Sequence, residues 1–266
     1  MTDTPASMTY GGYLALDELL SAQKPLSEHH DEMLFVVIHQ TQELWLKQII
    51  HELTLARELI RRDALVPVHK ALSRVSRIQA VMTLTWDVLA TMTPADYTSF
   101  RDVLGSSSGF QSAQFRQMEY MLGIKDGTHL RHQDEQSQWY GAMERSLREP
   151  SLWDEANAAL ARAGFDLPAD VLERDWSEAY QPSEAVEAAW AEVYRDTARW
   201  WPLYQLAEKL VDIDDAMATW RHKHVVTVER IIGMKMGTGG TSGVAYLQST
   251  VGKRAFPELW SLRTKL

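Results

Sequence analysis

Cysteine is absent from all 266 residues, and that gap removes disulfides, thiolate metal sites, iron–sulfur clusters, cysteine nucleophiles and covalent haem attachment through C-x-x-C-H. Any metal must be held by His or carboxylate. No apolar run approaches the roughly 20 residues needed to span a bilayer, and the opening MTDTPASMTYGGY lacks the basic start and apolar block of a secretory signal. A cytoplasmic location is therefore expected, with no membrane partner. Basic charge is scarce as well: 27 Lys and Arg stand against 36 Asp and Glu, a formal net charge of -9 at pH 7. The cations are scattered rather than grouped in a stripe, so nucleic acid is not expected as a partner.

What is present is ordinary in bulk and unusual in one detail. With 45% hydrophobic and 24% charged residues, the chain can bury one sizeable core, and a single domain over residues 1–266 is the expectation. Ten tryptophans is a high count for this length. Most serve as core, but such side chains also suit flat ligands.

Periodicity predicts an all-α helical bundle. Residues Ser27 to Arg62 carry Glu28, Asp31 and Glu32 at the start and apolar Met33, Val36, Val37, Leu44 and Ile49 at helical spacing. A second helix is predicted from Val68 to Met92, stopped by Thr93-Pro94. A short helix from Asp96 to Leu104, capped by Thr93, precedes the break Gly105-Ser106-Ser107-Ser108-Gly109, and Phe110 to Leu122 resumes. Residues 123–182 alternate short helical pieces with Gly and Pro, and Trp190 to Ile232 reads as one long helix. The stretch from Gly233 to Gly243 is glycine-rich and directly follows that helix, as a ligand-wrapping loop would. No convincing strand pair, repeat or low-complexity segment is present.

Several side chains stand out, each with a structural alternative. His39 shares a helix face with Phe35 and Gln42, where a satisfied core histidine is more common than a functional one. His222 and His224 lie two apart and so cannot jointly hold one metal from a regular helix. His224 shares a face with Trp220, Thr227 and Val228, which makes it the better ligand candidate, and a neutral helical imidazole is the commonest proximal ligand of haem. Tyr97 and Arg101, four apart, form either a carboxylate clamp or an exposed helical pair. His51-Glu52 and His29-His30-Asp31-Glu32 hold metal-ligand atom types but match neither H-E-x-x-H nor a di-iron pattern, and read as solvated faces and caps. The glycine-rich loop is not a phosphate cradle of the P-loop kind.

Five stretches carry a more specific signal: YGGYLALDELL at Tyr10 to Leu20, HHDEMLFVVIHQTQELW at His29 to Trp45, SSSGFQSAQFR at Ser106 to Arg116, WRHKHVVTVERIIGMKMGTGGTSGVAYL at Trp220 to Leu247, and FPELWSLRT at Phe256 to Thr264. Together they resemble the tryptophan 2,3-dioxygenase family from about Tyr10 to Thr264, more weakly between about Lys125 and Asp196.

The resemblance implies an all-helical domain that binds non-covalent b-type haem and uses O2 to open the indole ring of L-tryptophan, giving N-formylkynurenine. It implies His224 as the proximal iron ligand and His39 as the distal residue near the indole nitrogen. Arg101 and Tyr97 would hold the substrate carboxylate, Thr238 the ammonium, and Phe35 and Leu104 would wall the indole. Ser108 and Gly109 would lie against the haem edge and Trp86 would line its pocket. Tyr10 and Tyr13, in an N-terminal segment 1–26, would reach a neighbouring subunit's site in a homotetramer. The same pocket is compatible with insertion of one oxygen atom into tryptophan or a methyltryptophan, or with a haem and tryptophan sensor. The intact clamp and GTGG loop favour ring cleavage.

Overall fold

Three long helices set the frame. The computed structural model describes residues 8–240 and 242–266, and no strand occurs among them. In chain order the helices are α1 (Tyr10–Leu14), α2 (Leu16–Leu20), α3 (His30–Arg61), α4 (Leu65–Leu89), α5 (Pro94–Phe100), α6 (Ala113–Leu122), α7 (Gln138–Arg148), α8 (Leu152–Arg162), α9 (Ala169–Leu172), α10 (Glu184–Arg195), α11 (Trp201–Ile232), α12 (Val244–Thr250) and α13 (Pro257–Ser261). The all-α expectation is met.

α3 and α11 have 32 residues each, about 48 Å at 1.5 Å per residue. The shorter α4 packs against both of them, joining the two ends of the sequence. The inward face of α3 runs through Ile38, Gln42, Leu46, Ile49, Leu53, Ala56 and Ile60, all buried, at the three- and four-residue spacing that puts side chains on one stripe. α4 answers with Val68, Leu72, Val75, Ile78, Met82, Trp86 and Leu89. α11 contributes Leu203, Leu206, Leu210, Ile213 and Met217.

The second half closes the other side of the core. Trp153 of α8 and Trp190 of α10 stack at 5.7 Å, and the Trp190 indole N–H donates to Asn157 Oδ1 at 3.0 Å. Each such buried aromatic contributes on the order of 3 kcal/mol. The C-terminal segment docks through two buried carboxylates: Asp214 accepts from the Ala255 N–H and from the Trp260 indole, and Glu258 accepts from the Tyr180 hydroxyl and the Ser183 N–H.

Helix ends depart from the periodic reading for local reasons. α3 begins at His30 rather than Ser27, because the Glu32 carboxylate folds back onto the N–H groups of Leu26 and Ser27 and holds them outside the helix. Arg101–Leu104 is a separate 3-10 turn after α5, and Ser112 caps α6 after a 3-10 turn at Gly109–Gln111. The helix expected from Trp190 to Ile232 is broken between Arg195 and Trp201, with Pro202 in the first turn of α11, where its missing N–H costs nothing. Glu52 does not lie on a solvated face: it is buried and pairs with Arg74 at 2.6 Å.

Candidate active site

His39 and His224 arrive from opposite flanks of α4, one on α3 and the other on α11. Both rings are enclosed by protein yet keep some accessible surface. The His39 Nδ1 lies 2.7 Å from the Phe35 carbonyl. A carbonyl only accepts, so Nδ1 carries the hydrogen and Nε2 of the neutral ring is left as an acceptor. Burial lowers the His39 pKa against the opposing pull of that carbonyl and of Glu43. Burial pushes His224 down to about 3, and positive charge on His39 would lower it further. Both imidazoles are therefore neutral at pH 7.

Apolar side chains separate the two imidazoles from solvent. Ile38, Trp86, Leu89, Met92, Phe100 and Ile231 form one buried cluster, with Phe35, Tyr97, Leu104 and Trp220 packed against it. Phe35 lies 4.2 Å from the His39 ring and 5.7 Å from Phe100. On the other side Trp86 stacks on His224 at 4.3 Å. The structure thus brings together Phe35, His39, Trp86, Tyr97, Leu104 and His224, residues spread over most of the sequence.

Arg101 stands at the edge of this cluster, just past α5. Burial raises the Tyr97 pKa against the opposing charge of Arg101, so the phenol and the guanidinium are neighbours. Arg101 Nη2 also donates to the Met236 carbonyl at 2.6 Å, and Thr238 Oγ1 donates to the Ser107 carbonyl at 2.5 Å. The glycine-rich loop therefore lies across the Ser106–Gly109 turn. Two glycines make that approach feasible. A Cβ on Gly239 would come within 2.6 Å of the Ser108 Cβ, and Gly243, at φ +60°, would meet the Lys235 carbonyl at 2.6 Å.

Sequence reasoning missed a buried charge cluster behind the cleft. Glu119 accepts from Arg116 at 2.6 Å and from Arg221 at 2.8 Å, and all three are buried. Two guanidinium groups share one carboxylate, and the Arg116 Nε has no partner among the described residues. Arg116 also lies 5.2 Å over Phe110, next to the Ser108–Gly109 turn, and donates to the Tyr246 hydroxyl at 3.4 Å. The available signal was an arginine closing the SSSGFQSAQFR stretch and another beside Trp220. Glu43 was missed as well: it accepts from Ser112 Oγ at 2.6 Å and Gln114 Nε2 at 2.7 Å, tying α3 to the start of α6.

Tyr10 and Tyr13 are not part of this chain's cleft. They are 78% and 76% exposed on α1, which packs on α2. Residues 1–7 of the expected subunit-contact segment lie outside the described residues.

The residues present fit haem. A neutral imidazole with no protein hydrogen bond among the described residues lies against Trp86 of the apolar cluster, which suits iron ligation. Among the described residues the indole N–H groups of Trp86 and Trp220 and the Arg116 Nε are buried and unpartnered, and the surplus guanidinium over Phe110, next to the Ser108–Gly109 turn, suits an anionic propionate.

Comparison with known proteins gives a consistent result. The family model described as tryptophan 2,3-dioxygenase matches residues 2–148 and 134–266. The tryptophan 2,3-dioxygenase of Caulobacter vibrioides is 65% identical over 259 residues, covering 97% of this chain and 98% of that protein. The enzyme of the same name from Bacillus thuringiensis subsp. konkukian is 54% identical over 265 residues, covering 100% and 95%. That from Ralstonia pickettii is 52% identical over 264 residues, covering 99% and 95%.

Proposed function

The chain belongs to the tryptophan 2,3-dioxygenase family, and from that premise we propose that His224 holds a b-type haem and that His39, Arg101, Tyr97 and Thr238 orient L-tryptophan for cleavage of its C2–C3 bond to N-formylkynurenine. One observation carries the reading: two neutral imidazoles flank one apolar side-chain cluster with a guanidinium at its edge.

When bound, the haem supplies the iron(II) centre at which O2 is activated. His224 would hold that iron, and Ser108 and Gly109 would lie against the edge of the group. Orientation is the protein's part. Arg101 offers a planar fork matched to two carboxylate oxygens, with Tyr97 beside it. Thr238 bonds the ammonium once its present contact with Ser107 is exchanged. With the amino-acid end pinned, Phe35 and Leu104 wall the indole, and the His39 Nε2 accepts its N–H. Fixing substrate in this way raises effective concentration by orders of magnitude. His39 needs no proton of its own to do so, because its Nδ1 hydrogen is held by the Phe35 carbonyl. The apolar walls exclude water from the reacting atoms.

Tyr10 and Tyr13, exposed here, complete a neighbouring subunit's site in a homotetramer. No helix among the described residues is long and apolar enough to cross a membrane, and we place the enzyme in the cytoplasm.

The test is an aerobic assay of the ascorbate-reduced, haem-loaded protein with L-tryptophan, read by product mass and by absorbance at the formylkynurenine band. Addition of two oxygen atoms with ring opening supports the reading. Addition of one oxygen atom moves it to monooxygenation, and binding without turnover to a sensor. Sedimentation of the same sample at several concentrations reads the assembly state.

A further inference from the structure

His224 meets its surroundings in an unusual way for a metal ligand. A metal-ligating histidine almost always donates its second ring N–H to a carboxylate, carbonyl or water, and that bond fixes the ring's rotation. No protein acceptor is bonded to His224 among the described residues. No protein acceptor therefore fixes the ring, and torsions onto a planar ring have no sharp staggered wells of their own.

The protein's contacts to the ring are aromatic. The Trp86 indole lies face to face with the His224 imidazole, 4.3 Å between centroids and 8° between planes. Trp220, one turn before His224 on α11, packs on both rings at 5.4 and 5.1 Å with tilts of 56° and 50°. Phe115 of α6 backs Trp220 at 5.0 Å. Trp86 is 4% exposed and cannot move aside without opening the α4–α11 contact. The imidazole is therefore held flat against one indole and edged by another, with support from three helices.

We propose that Trp86 is a positioning residue for the iron ligand: its stacked face, steadied by Trp220, sets the rotational angle of the His224 ring before haem arrives and holds it there afterwards. This rests on His224 being the haem ligand but goes beyond lining the pocket, because it assigns Trp86 the orienting work usually done by a hydrogen-bond acceptor. The requirement is for an aromatic face rather than for the indole N–H, which has no partner. Phe at this position should then serve in part, and an aliphatic of similar bulk should not.

The experiment compares wild type, Trp86→Phe and Trp86→Leu in two states. In the haem-free protein, the NMR shift of the His224 Hε1 proton reads the ring current of the stacked indole. It should lie upfield in wild type, partly upfield in Trp86→Phe, and near its unstacked value in Trp86→Leu. In the haem-loaded protein, resonance Raman reads the iron–histidine stretch. The band should stay narrow in Trp86→Phe and broaden and shift in Trp86→Leu, with haem affinity down about 10- to 100-fold, the range for losing an orienting partner. A Trp86→Leu protein with wild-type ring-current shift and iron–histidine band overturns the proposal. Should Trp86→Leu not fold, Trp86→Met replaces it with the same two expectations. If instead His224→Ala retains the wild-type iron–histidine band, the ligand assignment itself fails, whatever the Trp86 variants show.

Discussion

Arg101 donates a 2.6 Å hydrogen bond to the carbonyl oxygen of Met236, across 135 positions of sequence. The carbonyl occupies part of the same fork that is proposed to take the substrate carboxylate, so loop and substrate share one donor group. Arg101→Ala should raise KM for L-tryptophan by about 10- to 150-fold, the 1.5–3 kcal/mol of a charged hydrogen bond, while haem content is unchanged. Arg101→Lys should rescue little, because an ammonium does not reproduce the planar fork. Steady-state kinetics with haem quantified in the same samples checks both. Unchanged KM in Arg101→Ala would remove the clamp.

The tautomer of His39 leads to a different expectation. With Nδ1–H committed to the Phe35 carbonyl, the ring offers the indole N–H a single neutral hydrogen bond, worth about 0.5–1.5 kcal/mol. His39→Phe should therefore cost about tenfold in kcat/KM and leave turnover measurable. Loss of an obligatory general base would cost roughly 100- to 10,000-fold. Single-turnover rates of the variant across pH 6 to 9 separate the two, and a drop of the larger size would assign His39 a proton-transfer role.

How far the sequence anticipated this arrangement depends on whether a feature was local. α3 and α4 were legible because long stretches without interior breakers carry an apolar stripe. The gap between Arg195 and Trp201 was not, since Asp-Thr-Ala-Arg-Trp contains no glycine or proline and Pro202 is tolerated in a first turn. His39 and His224 could be singled out because motif and helix face agreed, whereas Arg101, expected on one short helix with Tyr97, sits in a 3-10 turn just past it. Arg116, Glu119 and Arg221 escaped for the opposite reason: charged residues on a helix ordinarily mean a solvated face. That these three are buried together depends on α6 meeting α11, a contact across about a hundred residues that no local pattern encodes.

Two histidines make the haem-free protein acid-sensitive. Burial, with help from the Arg116 charge and against the pull of Asp126, pushes His129 down to about 4, and burial pushes His224 to about 3. In the unfolded chain both take up protons near pH 6.5. Between pH 6.5 and those values the unfolded state binds more protons, so stability rises with pH and falls on acidification, levelling off below the folded values. His129 alone should cost about 2 kcal/mol between pH 7.5 and 5.0. Urea midpoints of the haem-free protein at the two pH values measure this, and His129→Asn should flatten the dependence. An unchanged slope in that variant would show that His129 is not held neutral.

The Glu119 cluster should respond asymmetrically to substitution. Glu119→Ala leaves Arg116 and Arg221 buried with no countercharge, and stripping one partner from a buried ion network costs about 3–5 kcal/mol. Arg116→Met relieves the surplus instead, leaving a one-to-one pair between Glu119 and Arg221, so its cost should be clearly smaller. If the surplus guanidinium also serves a haem propionate, Arg116→Met should keep its fold and lose haem affinity, whereas Glu119→Ala should lose stability first. Urea denaturation of the haem-free variants beside haem titration of the folded ones distinguishes a charge kept for structure from one kept for the cofactor. Equal stability losses in the two variants would contradict the two-to-one reading of the cluster.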